Sequence, residues 1–376
     1  MKFLQNFYEK EINYIKMKYV NILTNKLNSP NGIAFLFPLV KFKKKFFENG
    51  FIFSFFSDIN KKDLFECNFL IIDYRFLYGN FKKNLSHLMK ILSDKRDGID
   101  KIIFYDNSDS TGTLSNDIFE FVDIYLKNQI LDDISLYSKK FYGSRIYTDY
   151  YFKKFNVIDD SVIFQKPVEK RNLNKIKVGW NSGLCEYSVL SAYKQNLIKN
   201  FKNPNILNFL SFNKKFIKPS IERINSLSCR IGDRYSRNTI RFQRKEINKK
   251  IKVFRKTNKI SRINYFKELS NSKVVISPFG WGEISLRDFE VLLTGGLLFK
   301  PKMNHLKTWP NFFEEDKTIK CFDWSLSDLE LNLEEILDNY KKYVSISIRG
   351  QKRYMEHTID DRAFDLFFNH FKSIFN

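Results

Sequence analysis

The stretch from Val274 to Pro310 holds small, acidic and basic residues in an order suited to binding a phosphorylated ligand. An apolar, β-branched run ended by Pro278 predicts a buried strand, and a glycine-rich turn, Gly280–Gly282, follows it. A helix is predicted next, from Glu283 to Leu293, because two consecutive glycines then end it. Glycines let a ligand approach the backbone closely, and the N–H groups and dipole of a first helical turn favour a phosphate. The turn also offers the aromatic ring of Trp281.

Three charged residues of that predicted helix would share one face, because at ~100° per residue a seven-residue step returns almost to its starting direction. They are Glu283, Arg287 and Glu290. A carboxylate one or two turns beyond a phosphate site can accept hydrogen bonds from both hydroxyls of a ribose. The alternative is a surface ladder of salt bridges, worth about a few tenths of a kcal/mol. The combination of strand, glycine turn and acidic helix favours the ligand site.

The elements that must position this segment are predicted from apolar runs that end in polar residues, glycine or proline. The first series of predicted strands is Ile33–Phe37, Phe51–Phe56, Phe69–Asp73, Ile102–Tyr105 and Phe121–Tyr125. The second series is Ile176–Trp180, Ile206–Phe212, Val274–Ser277, Leu297–Phe299 and Ile319–Phe322. Helices are predicted from the N-terminus to about Leu27 and at Lys41–Glu48, Leu329–Tyr340 and Asp360–Phe375. Such alternation predicts an α/β protein with parallel sheets.

A chain of 376 residues is expected to form two domains of this kind. We predict an N-terminal Rossmann-like domain over residues 1–165, a C-terminal one over 166–358 and a final helix in 359–376. Open parallel sheets bind ligands at the carboxyl ends of their strands. Two facing sheets can therefore direct loops into one cleft.

The run GWGEISLRDFEVLLTGGLLFKP resembles the nucleotide-sugar signature of GT-B glycosyltransferases, in particular group 1 and exostosin-like enzymes of bacterial surface-polysaccharide synthesis. The resemblance covers about 40 residues in detail and only the architecture elsewhere. It implies a GT-B fold, two Rossmann-like domains facing each other across a cleft, with the donor held in the C-terminal domain. Gly280 and Gly282 would correspond to the loop at the diphosphate, Glu283 to the first acid of the motif and Glu290 to the acid that binds the ribose. The resemblance also implies that the final helix crosses back to the N-terminal domain.

A run of arginines precedes the signature, and four of them recur every three or four residues: Arg234, Arg237, Arg241 and Arg244. In a helix they would share one face, and a guanidinium pairs well with phosphate oxygens. The alternative is a solvated basic face. Similar GT-B enzymes place a basic residue in this region, so the resemblance favours Arg237 and Arg241 for donor binding.

Carboxylates follow two strands of the N-terminal half, at the end expected to face the cleft. Asp106 and Asp109 follow one of these strands, and glycosyl transfer needs a general base to take the proton of the acceptor hydroxyl. The two aspartates are equally compatible with a turn that only caps the loop. Asp73 and Arg75 occupy the same position beyond the preceding strand and are weaker candidates.

Composition restricts the partners. The formal charge of +22 fits an anionic ligand or surface and also fits compositional drift in an AT-rich genome. No uncharged apolar stretch reaches the ~20 residues of a membrane-spanning helix. The start lacks a secretory signal, and four scattered cysteines indicate reduced thiols, so we expect a cytoplasmic protein, with contact to an anionic inner membrane face. Motifs for P-loop, zinc-protease and serine-esterase chemistry are absent.

Together these features predict a glycosyltransferase that moves a sugar from a nucleotide-sugar donor to a glycan or lipid-linked acceptor. No cofactor, no metal and no nucleic-acid partner is expected, because a helix dipole and basic side chains can stabilise the leaving diphosphate. The sequence leaves open a non-catalytic binder of nucleic acid or anionic surfaces on the same shell, and an epimerase. The arginine run and the net charge favour the first of these alternatives.

Overall fold

The computed structural model describes residues 16–25, 27–78, 81–212, 215–254 and 258–375. The strands of the N-terminal half are β1 (Lys18–Leu23), β2 (Phe51–Phe56), β3 (Phe69–Asp73), β4 (Lys101–Asp106), β5 (Ile124–Lys127), β6 (Gln129–Leu131) and β7 (Ile176–Val178). Six of them form a parallel sheet in the order β2-β1-β3-β4-β5-β7. Because all six run the same way, the residues that follow β3 and β4 meet at one edge of the sheet.

Helices cover this sheet on both faces, namely α1 (Pro30–Lys41), α2 (Lys43–Glu48), α3 (Tyr74–Leu77) and α4 (Phe81–Lys95). Helix α5 (Ile146–Phe155) follows them in the chain. The prediction of a strand at Ile33–Phe37 is wrong, because Pro30 starts a helix there whose residues Gly32–Val40 are all buried. A continuously apolar run shows no period that would separate a buried helix from a buried strand.

The N-terminal helix predicted to about Leu27 is also corrected. Residues 18–23 form β1, which pairs with β2 and β3, and the earlier part of that prediction lies outside the described residues. From Val20 to Leu23 every side chain of β1 is buried, and only Lys18 and Tyr19 at its start are exposed. Burial on both faces is expected for a strand that lies inside a parallel sheet covered by helices.

The second half contains a four-stranded parallel sheet in the order β12-β10-β9-β8. Its elements in chain order are α6 (Ser191–Ile198), β8 (Asn225–Ser228), α7 (Asn238–Lys250), α8 (Arg262–Asn271), β9 (Ser272–Ile276), α9 (Leu286–Thr294), β10 (Leu297–Pro301), β11 (Leu306–Thr308), β12 (Lys320–Phe322), α10 (Leu329–Asp338), α11 (Tyr340–Thr358) and α12 (Ala363–Phe375). Two predictions fail here. The strand at Ile176 closes the first sheet, since it pairs with β5, and Ile206–Phe212 is largely a 3-10 helix, Pro204–Phe209.

The two halves are interwoven. Helix α5 packs on α7 of the second half, where the Gln243 amide donates to the Tyr151 hydroxyl and the ring of Phe242 lies 5.1 Å from that of Tyr151. Helix α12 packs on the first half, and the ring of Phe371 lies 5.0 Å from that of Phe46. Strands β6 and β11 pair antiparallel and join the halves a third time.

Two parallel α/β halves that face each other across a cleft confirm the predicted GT-B arrangement. The strands predicted at Phe51–Phe56, Phe69–Asp73 and Ile102–Tyr105 are confirmed, as are those within the signature segment. The boundaries at residues 165 and 358 stay predictions. None of the helices in the described ranges has the length and apolar character that a bilayer crossing requires.

Candidate active site

A cavity of about 550 Å³ opens between the two halves. The first half contributes Asn31 at the N-terminus of α1, together with Arg75 and Asp109. The second half contributes Arg244, Arg287 and the residues between β9 and α9. A smaller cavity of about 220 Å³ shares Arg75, Asp109 and Trp281 with it and adds the rings of Tyr74 and Tyr78. The predicted donor segment and one predicted base therefore line the same cleft.

The segment between β9 and α9, residues 277–285, which we call the donor loop, is fixed by a buried ion pair. The Lys300 ammonium lies 2.9 Å from the Asp288 carboxylate, and neither side chain has exposed surface. The same ammonium donates to the carbonyl oxygens of Ser277 and Glu283, near the two ends of the loop. Burial lowers the pKa of Lys300, and the Asp288 charge opposes that shift. One side chain on the adjacent strand thus ties both ends of the loop.

Helix α9 begins at Leu286, three residues later than predicted. Asp288 sets this start, because its carboxylate accepts a hydrogen bond from the Ser285 backbone N–H. Glu283 consequently lies in the loop, and the predicted shared helical face of Glu283, Arg287 and Glu290 is wrong for Glu283. The end of the helix is as predicted, with Gly295 at φ 71°.

Glu283 is completely buried at the junction of the two halves and does not line the cavity. Its carboxylate accepts a hydrogen bond from the Thr111 N–H at 3.1 Å, and its Oε1 lies 3.6 Å from Nε2 of His305. Burial raises the pKa of Glu283, but His305 and the Thr111 N–H more than offset it, so the pKa lies below its ordinary value. An anion held by the first half in this way attaches the donor loop to that half.

The first half contacts the donor loop at two further points. The Tyr147 hydroxyl donates to the Gly280 carbonyl at 2.8 Å, and Nε of Arg145 donates to the Trp281 carbonyl at 2.9 Å. At Gly282 a Cβ atom would lie 1.9 Å from the carbonyl oxygen of Asp109. Only glycine permits this approach of the donor loop to the Asp109 backbone. Gly280, Trp281 and Gly282 all line the cavity.

Arg287 and Glu290 lie one turn apart on α9. Arg287 lines the cavity, and its guanidinium donates to the carbonyl oxygen of Arg230. Glu290 does not line the cavity, because its carboxylate faces Arg262 at 2.9 Å and is almost completely buried. Burial raises the pKa of Glu290 against the charge of Arg262. Burial raises the pKa of the neighbouring Tyr265 to about 12, and the charge of Arg287 opposes that shift.

The arginine run does not meet the cleft where it was predicted to. Helix α7 starts at Asn238, so Arg237 is its cap residue and forms a 2.9 Å ion pair with buried Asp159. Arg241 lines a separate hollow. Arg244 reaches the cavity instead, and its Nη1 donates to the Phe279 carbonyl at 2.8 Å. Arg237 and Arg241, which were predicted to bind the donor, therefore lie outside this cavity, and Arg244 lines it instead.

The two candidate bases are separated by burial. Asp106 is 1% exposed, and its carboxylate lies 2.9 Å from the Lys127 ammonium and accepts a hydrogen bond from the Tyr125 hydroxyl. Burial raises the pKa of Asp106, but the Lys127 charge and the hydrogen bond from Tyr125 lower it by more, so the pKa lies below its ordinary value. The carboxylate therefore remains ionised and enclosed. The prediction that Asp106 is a candidate base is therefore wrong, because no acceptor hydroxyl can reach its buried carboxylate. Asp109 is exposed in both cavities and accepts a hydrogen bond from the Asn31 amide.

Arg75 reaches the cleft more fully than the sequence indicated. Its guanidinium lies 5.4 Å from the ring centres of Tyr74 and Tyr78, and its Nε donates to the Asn107 side chain. The N-terminus of α1 was missed because that segment was predicted as a strand.

Within the described ranges, no group of three or more His, Cys, Asp and Glu residues is placed to hold a metal ion.

A scan against protein-family models and a search of curated proteins give no match. Among solved structures, similar ones include an alpha-glucosyltransferase in complex with UDP and a 13-mer DNA, at 13% identity over 96% of this chain and 100% of that chain, with a TM-score of 0.42. A sucrose-phosphate synthase from Thermosynechococcus elongatus matches at 10% identity over 95% and 98% of the two chains, with a TM-score of 0.43. The Anabaena protein HepE in complex with UDP-glucose matches at 10% identity over 95% and 100%, with a TM-score of 0.40. These matches assign no role to any residue of this chain.

Proposed function

We propose that this protein is a glycosyltransferase that moves a sugar from a nucleotide-sugar donor, bound in the cleft, to a glycan or lipid-linked acceptor. One observation carries the proposal: the donor loop, the N-terminus of α9 and the exposed carboxylate of Asp109 line a single cavity. Its volume, about 550 Å³, is in the range of small-molecule sites. A sugar between these groups would have a phosphate site on one side and a base on the other.

The donor side supplies positive charge for a diphosphate. Arg244 lines the cavity together with Leu286 and Arg287 of the first turn of α9, so basic side chains and a helix N-terminus adjoin the space for a diphosphate. They would stabilise the negative charge that develops on the leaving diphosphate. The role of Glu290 at the ribose stays a prediction from the resemblance. Its carboxylate has to exchange Arg262 for the ribose hydroxyls to fulfil that role.

The acceptor side offers a base and flat apolar surfaces. In the proposed step Asp109 takes the proton of an acceptor hydroxyl, the hydroxyl oxygen bonds to the anomeric carbon, and the bond from that carbon to the diphosphate oxygen breaks. The electron pair of that bond leaves with the diphosphate. The rings of Tyr78 and Trp281 are exposed in the smaller cavity and suit the faces of an acceptor sugar.

The proposal includes two finer features. Transfer without a bound metal is supported by the two guanidinium groups and the helix N-terminus, which together can neutralise a diphosphate. A place in the synthesis of bacterial surface polysaccharide or lipopolysaccharide is supported by the resemblance of the signature segment alone.

A thermal-shift screen of the full chain against UDP, GDP, CMP and their sugar conjugates tests the proposal, since a ligand stabilises the fold according to its affinity. We expect one nucleotide to raise the melting temperature in the wild type and much less in Arg244→Met. Arg171→Met, which removes an exposed arginine outside the cleft, serves as the matched control. Transfer of a labelled sugar from the selected donor then tests turnover. No response to any nucleotide, together with steeply salt-dependent RNA binding, would overturn the proposal.

A further inference from the structure

Residues 187–221 contain no Asp or Glu and six lysines. This segment connects the two sheets and includes α6 and the 3-10 helix Pro204–Phe209. It is attached firmly to the first half, where the Phe201 carbonyl accepts a hydrogen bond from the Leu27 N–H and the Leu210 carbonyl accepts one from Lys41. The cleft uses none of these residues.

Helix α6 and the residues that flank it present apolar side chains to solvent: Tyr193 and Leu197 lie in the helix, Leu190 is its N-cap and Phe201 follows its end. Leu190, Tyr193, Leu197 and Phe201 follow one another at spacings of three, four and four, with exposed fractions of 58%, 65%, 52% and 49%. We call these four residues the α6 stripe. Ser191 and Ile198, on the other side of the helix, are buried. Exposed apolar residues at helical spacing mark a surface that meets another apolar phase or partner.

The segment itself contributes only positive charge beside the α6 stripe, and one exposed carboxylate of the first half, Asp58, lies near Lys202. Lys199 and Lys202 are exposed beside the stripe, and Lys202 lines a shallow hollow together with Lys43, at the start of basic helix α2. The nearest acidic residue before the segment, Glu186, is buried and paired with Lys194. An apolar stripe flanked by lysines, in a segment without carboxylates, is complementary to a bilayer surface that carries anionic headgroups.

We propose that the α6 stripe and its flanking lysines hold this protein on an anionic lipid bilayer. The aromatic and leucine side chains enter the boundary between headgroups and acyl chains, and the lysines meet the lipid phosphates. The segment begins five residues after Ser182, which lines the cleft. That a lipid-linked acceptor is thereby brought to the cleft rests on the proposed function; binding to the bilayer does not.

Flotation of the full chain with phosphatidylcholine vesicles, with and without phosphatidylglycerol, tests the proposal. The wild type should float only with the anionic vesicles, and added salt should release it. Lys199→Glu with Lys202→Glu should weaken the partition by about 25-fold or more, at about 5-fold per lysine lost near the surface. Tyr193→Ser with Leu197→Ser should weaken it by about 10-fold or more.

Matched controls carry changes of the same kind and number elsewhere. Lys83→Glu with Lys90→Glu changes two exposed lysines of α4, whose apolar residues belong to the core on the opposite face of the first sheet from that of α6. Val253→Ser with Leu331→Ser removes two apolar side chains that are 93% and 69% exposed outside the stripe. Both should float like the wild type. The changed residues are exposed, and thermal unfolding of each variant confirms that it is folded.

The proposal is overturned if the wild type does not float, if the stripe variants float as well as the controls, or if neutral and anionic vesicles bind equally. A concentration-dependent dimer in sedimentation velocity that the stripe variants lose, without flotation, would show instead that copies of this chain meet there. Nucleotide binding is measured on the same samples, so a failure here leaves the proposed transfer reaction standing.

Discussion

The substitution Gly282→Ala adds a single methyl group at the point where the donor loop touches the Asp109 backbone. A Cβ at this position would lie 1.9 Å from the Asp109 carbonyl oxygen, whereas ordinary contacts of a Cβ begin at 3.4 Å. One backbone must therefore move by about 1.5 Å, the difference between these two distances. The neighbour is main chain rather than the end of a flexible side chain, so the strain cannot be relieved by a rotamer change.

The displacement acts on the alignment of base and donor, and a misplacement of about 1 Å can lower a rate about 10²-fold. We expect the turnover number to fall by about 10²-fold or more, while the nucleotide dissociation constant changes by only about a few-fold, since Arg244 and α9 are untouched. The fold should lose about 1–3 kcal/mol from overpacking. Calorimetric titration of the nucleotide, a labelled-sugar transfer assay and thermal unfolding measure the three quantities.

Gly232→Ala is the control, because a Cβ there meets nothing within 4 Å and the variant should behave as wild type. Unchanged turnover in Gly282→Ala would refute the close approach of loop and base. Loss of nucleotide binding together with turnover would locate the damage in the donor loop and not at Asp109.

Further substitutions probe single groups. Asp109→Asn should lower the transfer rate by about 10²–10⁴-fold in the labelled-sugar assay and leave nucleotide affinity unchanged, because only the base is lost. Arg244→Met should raise the dissociation constant of the selected nucleotide by about 10- to 100-fold in calorimetry, as expected for a lost charged hydrogen bond. Glu290→Gln should abolish transfer while the chain remains folded. Burial raises the pKa of Asp73 from 3.8 to about 6, so its contribution to stability is complete below its unfolded pKa and is lost as the pH rises through about 6. Asp73→Asn should remove this loss, worth about 2 kcal/mol between about pH 4 and pH 7, and urea unfolding at the two pH values measures the difference.

The local pattern of apolar and polar residues predicted an element correctly where that pattern fitted only one kind of element. Strands β3, β4 and β9 are short β-branched or aromatic runs that end in Asp, Asn or Pro, and the structure confirms them. Helix α1 was not predicted, because an unbroken apolar run has no period. The contribution of Asn31 to the cleft was therefore missed as well. The 3-10 helix at Pro204 was missed for a related reason, since Asn203 caps it locally where an apolar run predicted a strand.

The site depended on contacts that a linear pattern does not contain. The spacing predicted four arginines on one helical face. Arg237 instead forms an ion pair with Asp159, which is distant in the sequence. Helix α7 starts at Asn238, and Arg244 within it reaches the cavity. Glu283 was assigned to a helix because a local signal was overlooked: Ser285 and Asp288 have the spacing of a capping box, which starts the helix at Leu286. A lysine inside the apolar strand LLFKP was the one visible sign of the buried Lys300–Asp288 pair.

The exchange of helices between the halves limits how this chain can be recombined. A cut after residue 165 would leave α5 on a fragment that lacks α7, its packing partner, and would strip α12 from the aromatic side chains around Phe46. Both fragments would then expose large aromatic surfaces to water. A chimaera with another enzyme of this architecture therefore has to transplant α5 along with the second sheet and retain α12 along with the first.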